Sequence, residues 1–284
     1  MKRILFAAVL LLTGWVNAQK LDNALLWKIT GNGLIEPSYL FGTMHITCDA
    51  TLDKNVLTAL DKTKQLYLEI NMDDPALQAK MMDGALMKDG QKMSTLATPE
   101  DFKIVSDFLN TNLGMPATLL DRFKPSLVTM MMYPKLMECP AESIEMELMK
   151  VTKEQNEQLF GLETIEKQLA VFDAIPYKEQ MEELTEMAKN GLEKEKESNK
   201  KLDAIYKSKN LQAIADYMQE EENKTYGDHA DILLDDRNIS WIPKIEEAAK
   251  ATPTFFGVGA AHLGGEKGVI LLLRKKGYKV EAVK

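Results

Sequence analysis

The sequence predicts an α/β fold (α+β in detail), with a central sheet in two pseudo-symmetric halves and helical insertions between them. Three observations predict it. Short apolar runs of strand character recur from residue 25 to residue 283, separated by stretches with helical spacing. Two of these runs end in the same pattern, Gly42-Thr43-Met44-His45 near the start and Gly259-Ala260-Ala261-His262 near the end. Each pattern is followed by a helical stretch and another strand, so a strand–Gly-x-x-His–helix–strand unit occurs twice. With 16 glycines and 3 histidines in 284 residues, two such hits arise by chance in about 1% of sequences, so the repeat needs its context to carry meaning.

The elements follow in order. Lys2 and Arg3, the apolar run from Ile4 to Leu12, and Val16-Asn17-Ala18 form a secretory signal peptide, residues 1–18, cut after Ala18. Leu25 to Ile29 reads as a strand, Gly31-Asn32-Gly33 as a turn, and Tyr39 to Gly42 as the second strand of a hairpin that delivers His45. Leu52 to Lys62 has helical spacing, and Gln65 to Ile70 is a third strand. Residues 75–136 are a helical insertion, with Thr98-Pro99 as a helix start and Gly114 as a break. Its dense methionines, including Met130-Met131-Met132, read as flexible core filler; metal binding by thioethers and a methionine-lined peptide groove are the alternatives. Ser143 to Thr152 is a helix, Leu159 to Glu163 a strand, and Glu166 to Asp173 a helix. Residues 177–222 form a second insertion of two or three amphipathic helices, in which the Lys/Glu run from Glu193 to Lys201 is a solvated face. Asp231 to Lys250 is one helix, Pro253 to Val258 a buried strand, and Gly268 to Lys276 a helix stopped by Gly277. Tyr278 to Val283 is the last strand. Residues 19–284 are read as a single domain.

About 266 residues remain after cleavage at Ala18, enough for a substantial core. Loss of Lys2 and Arg3 takes the formal charge from -8 to -10. So acidic a chain is a poor partner for nucleic acid. No run after the signal peptide is long and apolar enough to anchor the mature chain in a membrane. The expected location is outside the cytoplasm, periplasmic or secreted. There Cys48 and Cys139 can pair as a disulfide; two free thiols and two metal ligands are the alternatives, the last weakened by the absence of C-x-x-C spacing.

The candidate site residues have a common chemistry. Histidine is the commonest metal ligand and the usual proton carrier near neutral pH, which singles out His45 and His262. Glu69 lies in an apolar strand, where a lone carboxylate is costly unless paired or metal-bound, and Glu163 follows the same logic. Arg237 is suited to hold a substrate carboxylate or a developing oxyanion, or simply to pair with Asp235 or Asp236 on its own helix. His229 has no such context and reads as a surface residue. There is no His-Glu-x-x-His and no nucleophile elbow, which disfavours a helix-borne zinc protease site and covalent acyl catalysis.

These residues carry a family resemblance. Leu26-Trp27-Lys28-Ile29 with Pro37 to His45, the run Gly257 to Leu263 with Gly265 to Val269, Leu68-Glu69-Ile70, Gly161 to Thr164 with Gln168, and Asp236-Arg237-Asn238 together resemble the TraB/GumN family. That family includes the Tiki metalloproteases and is similar to erythromycin esterase-like and haem-binding ChaN-like proteins. The resemblance implies a divalent-metal site (Mn²⁺, Co²⁺ or Zn²⁺) between the two Gly-x-x-His units. On this sequence it places His45, His262 and Glu69 at the metal, and Glu69, Glu163, Arg237 and Asn238 in catalysis. The expected function is that of an exported metal-dependent hydrolase acting on a peptide or protein substrate. The alternatives are a non-catalytic protein that binds a metal, haem or peptide, and an esterase-like hydrolase of a non-peptide substrate.

Overall fold

The computed structural model describes residues 21–220 and 227–284. The predicted signal segment, 1–18, and the last residues of the second predicted insertion, 221 and 222, lie outside the described residues. The fold is built on one six-stranded mixed sheet, and all six strands fall where the sequence places them. They are β1 (Leu26–Gly31), β2 (Ser38–Thr43), β3 (Gln65–Ile70), β4 (Gln158–Glu163), β5 (Thr254–Gly259) and β6 (Tyr278–Ala282), in the spatial order β4-β3-β5-β2-β1-β6. The strands β4, β3, β5 and β2 run parallel, and β1 is antiparallel to both its neighbours.

The two Gly-x-x-His units lie side by side. β2 pairs with β5 in parallel at the centre of the sheet, with Gly42 opposite Val258 and Thr43 opposite Gly259. From this pair the chain departs in opposite directions, from β2 through α1 (Lys54–Leu60) to β3, and from β5 towards β6. That reversal is a topological switch point, where open α/β sheets bind ligands beyond the carboxyl ends of their strands. Burial explains the continuous apolar runs of the central strands: every residue of β2, and all of β5 except Gly259, is buried.

The first insertion comprises α2 (Leu77–Gly84), α3 (Met93–Leu96), α4 (Pro99–Leu113), α5 (Pro125–Met130) and α6 (Tyr133–Leu136). Thr98 caps α4 by accepting from the Asp101 N–H at 3.1 Å, and Gly114 ends it with φ +71°. After α7 (Ile144–Glu154), β4 and α8 (Ile165–Ala174), the second insertion supplies α9 (Tyr177–Asn190), α10 (Glu193–Lys207) and α11 (Leu211–Met218). The charged helix α10 buries none of its residues, as its Lys/Glu run predicts. Met87, Met93, Met132, Met181 and Met187 pack with Val105, Leu109 and Leu184 in a core separate from the one under the sheet, so the methionines there are filler.

The long helix expected from Asp231 is two pieces: a π-helical turn, Asp231–Asp235, then α12 (Asp236–Ala251). π-helical turns recur at functional sites, and this one opens directly onto Arg237. The chain ends with α13 (Val269–Lys275) and β6. Cys48 and Cys139 form a disulfide, with Cα atoms 5.7 Å apart. Among the described residues no helix is long and apolar enough to cross a membrane.

Candidate active site at the carboxyl ends of four parallel strands

All four parallel strands deliver a site residue at the same end of the sheet. His45 lies two residues past β2, Glu69 in the last turn of the pleat of β3, Glu163 at the end of β4, and His262 three residues past β5. Arg237 and Asn238 reach them from the first turn of α12.

Arg237 ties the carboxylates together. Its NH2 donates to Glu69 Oε2 and to Glu163 Oε1, both at 2.6 Å, and its Nε donates to Glu163 Oε1 at 2.9 Å. Its NH1 donates to the Leu233 carbonyl of the π-helical turn at 2.9 Å, and the guanidinium lies over the Trp241 ring. It does not pair with its own helix's acids; Asp235 is taken by Lys267 at 2.9 Å. Burial opposes the charge on Arg237, but the two carboxylates outweigh it and hold its pKa above the ordinary value. Glu69, 6% exposed, also accepts from Gln168 Nε2 at 2.9 Å and from the Gly259 N–H at 2.8 Å. Burial would raise its pKa; the neighbouring His262, Arg237 and His45 and the Gly259 N–H bring it down to about 2.

The two imidazoles are held alike and charged differently. His262 is 4% exposed, its ring centroid 4.6 Å from that of Trp241 with the planes tilted by 42°, and its Nδ1 lies 2.7 Å from Asn238 Oδ1. The Asn238 amide donates to the Lys267 carbonyl, so its oxygen accepts from His262 Nδ1–H and leaves the lone pair on Nε2. Burial pushes this ring's pKa down to about 3, and it is neutral. Its Nε2 lies 3.2 Å from Arg237 NH1 and 3.7 Å from Glu69 Oε1. His45 has a side chain 65% exposed, and its Nδ1 lies 2.6 Å from Glu145 Oε1. What burial it has opposes the charge, but the bond to Glu145 and that carboxylate's charge raise its pKa to about 9. Glu145 is fixed in turn by Thr43 Oγ1 at 2.6 Å and Ser143 Oγ at 2.8 Å.

Two glycines make the convergence possible, by allowing close approach rather than a left-handed turn. A Cβ on Gly42 would stand 2.7 Å from Leu263 Cδ1 and 3.1 Å from Ala260, so the first unit packs on the second only without a side chain there. A Cβ on Gly259 would stand 3.3 Å from Glu69 Oε1, 3.6 Å from His262 Cδ2 and 3.7 Å from His45 Nε2. The space over Gly259 is therefore the point on which both histidines and the glutamate converge.

The six sequence-predicted residues thus gather at one end of the sheet. Asn238 is there as the group that fixes the His262 ring, and His229 is elsewhere, half-buried beside Glu179 at 3.3 Å. Sequence reasoning missed Glu145. Its signal is that it sits with Leu148, Met149 and Thr152 on the buried stripe of α7, a carboxylate in a position otherwise reserved for the core.

The residues fit a divalent metal in kind. Two imidazoles and a carboxylate are a hydrolytic ligand set, and each imidazole has its Nδ1 held by an oxygen, as metal-binding histidines require. Among the described residues, no three His, Cys, Asp or Glu side chains stand close enough to hold one ion as they are set. Arg237 NH1 also shares the His262 Nε2 lone pair that a metal takes.

A relative described as Metalloprotease TIKI2, from Danio rerio, is 21% identical over 320 residues, covering 93% of this chain and 62% of the relative. The chain thus spans about three-fifths of that relative's length. No solved structure matches. The model of the TraB/PrgY/gumN family matches residues 25–282, from the start of β1 to the end of β6 and through every site residue above, and the chain belongs to that family.

Proposed function

We propose that the protein is a metal-dependent hydrolase that cleaves peptide bonds, with His45, His262 and Glu69 as the residues that hold a divalent metal ion. The observation that carries this reading is the convergence of His45 Nε2, His262 and Glu69 Oε1 over Gly259. The metalloprotease description of the relative supports the peptide substrate. The Cys48–Cys139 disulfide supports an oxidising compartment, and with it an exported protein.

The chain's own residues have distinct parts in this account. A divalent ion bound here supplies Lewis-acid polarisation of a carbonyl and a more acidic water. Asn238 and Glu145 set the tautomers that leave both Nε2 atoms free to ligate. To hold the ion, His45 would release its Nε2 proton to solvent and keep Nδ1–H on Glu145. Moved off the His262 lone pair, Arg237 would have one N–H free to meet a substrate oxygen and stabilise developing negative charge, while its other four stay on Glu69, Glu163 and Leu233. Glu163 keeps the guanidinium in place through Oε1, which leaves Oε2 as the oxygen that would accept a proton from water.

The test is cleavage of a mixed peptide library, read by mass spectrometry, with Mn²⁺ or Co²⁺ and with chelator. Cleavage that needs the metal and is lost in His45→Ala and His262→Ala is the expected result. Cleavage indifferent to chelator and to both substitutions contradicts the reading.

A further inference from the structure

Beside the site, the carboxyl ends of β3 and β4 frame a cavity of about 230 Å³. Ile70, Leu77, Phe160 and Ile165 give it apolar walls, and Glu163, the partner of Arg237, forms the wall on the site's side. Most of its rim charge is satisfied internally: Lys80 pairs with Asp74 at 2.8 Å and with Glu166 at 3.6 Å. Recognition inside it therefore rests on apolar burial rather than on charge.

Size decides what the cavity holds. An apolar cavity of about 150 Å³ accommodates benzene. Drug-sized ligands and cofactors occupy roughly 300–1,000 Å³. At about 230 Å³ this cavity suits one leucine- or phenylalanine-sized side chain and is too small for a haem. Position decides whose side chain it is. Glu163 belongs to both the cavity and the Arg237 cluster, and Asn71 of the cavity wall stands two residues after Glu69. Lys244, also on the wall, follows Arg237 by seven residues, two turns along the same side of α12. A chain whose scissile bond lies over the site places a neighbouring side chain in this opening.

We propose that the cavity is a specificity pocket that receives one apolar side chain, of leucine to phenylalanine size, at a fixed position beside the cleaved bond. This rests on the peptidase reading above, so the test separates the two. The full chain is incubated with Mn²⁺ and a library of peptides varied at each position, and the cleaved bonds are mapped by mass spectrometry. The variants are Leu77→Trp, which narrows the cavity from α2, a helix that buries none of its residues, and Phe160→Ala, which widens it. Wild type is expected to favour Leu, Met or Phe over Ala at one position by tenfold or more, since a methylene in an apolar pocket is worth at least about tenfold. Leu77→Trp should lose that preference yet still cleave peptides with Gly or Ala there, and Phe160→Ala should shift it towards Trp. A preference unchanged in both variants overturns the pocket. If wild type cleaves no peptide, the peptidase reading fails by itself, and the pocket is judged by ligand-observed NMR with N-acetyl-leucine amide. Binding to wild type that Leu77→Trp abolishes sustains it; equal or absent binding in both proteins overturns it.

Discussion

Each imidazole of the site is held from behind by an oxygen, but what sets the charge differs between the two. Burial keeps His262 neutral with its pKa near 3, and the Asn238 amide oxygen fixes its tautomer. Glu145 offers His45 a carboxylate, which holds its proton up to about pH 9. A metal at His45 must displace that proton, so metal affinity should rise with pH until about pH 9. In Glu145→Gln the His45 pKa should fall back towards 6.5, and the rise in affinity should end correspondingly earlier. NMR titration of the His45 ring and calorimetric metal titrations at several pH values, on wild type and variant, check both. Gly259 gives a second residue-scale prediction. Gly259→Ala should cost on the order of 1 kcal/mol of stability in chemical denaturation, and should reduce metal binding far more, because the methyl group occupies the space where His45, His262 and Glu69 meet.

At the scale of elements, the strands were the most legible part of the sequence, and for a physical reason. β2 and β5 are buried on both faces and so read as uninterrupted apolar runs, while turns of Gly, Asn and Pro punctuate the rest. The π-helical turn before α12 left no such mark, because its residues, Asp231-Ile232-Leu233-Leu234-Asp235, continue the helical spacing of the helix that follows. Glu145 was hidden for a different reason: its role depends on a contact 100 positions away, which no local spacing encodes. The element that secures that contact is the segment after His45. Cys48 is bonded to Cys139, Thr47 and Glu142 exchange backbone hydrogen bonds at 2.9 Å, and Ala50 N donates to Glu142 Oε2 at 2.9 Å. Together they clamp the His45 loop to the start of α7. Replacing both cysteines by serine should lower the unfolding free energy by as much as about 4–5 kcal/mol for a loop of this length. It should also weaken metal binding, by loosening His45 from Glu145. Denaturant titration with a parallel metal titration reads both effects.

The whole molecule depends on its two ends meeting, since His45 and Glu69 come from the first quarter of the chain and Arg237 and His262 from the last. Folding therefore buries a cluster whose charges are set against one another, and the consequence is sensitivity to acid. His262 is depressed in the fold, so between about pH 6.5 and 3 the unfolded chain binds a proton that the folded chain does not. Stability is lost as pH falls through that window. Glu69, depressed to about 2, adds the same sign of loss below about pH 4.5. Stability, read by denaturant unfolding from pH 7 to pH 4, should begin to fall near pH 6, above the range of ordinary carboxylates, and His262→Gln should remove that early phase. The repeated Gly-x-x-His pattern and the buried acids made the members of the site legible in advance. Their detailed linkage through one guanidinium was not, because Arg237 had acids closer in sequence to choose from and instead pairs with two buried carboxylates far away in the chain. The central claim is that the two chain ends share one ion. Calorimetric titration of Co²⁺ into the wild type and into each single histidine variant tests it most directly. One ion per chain, with binding lost in His45→Ala and equally in His262→Ala, is the predicted result; undiminished binding in either variant contradicts it.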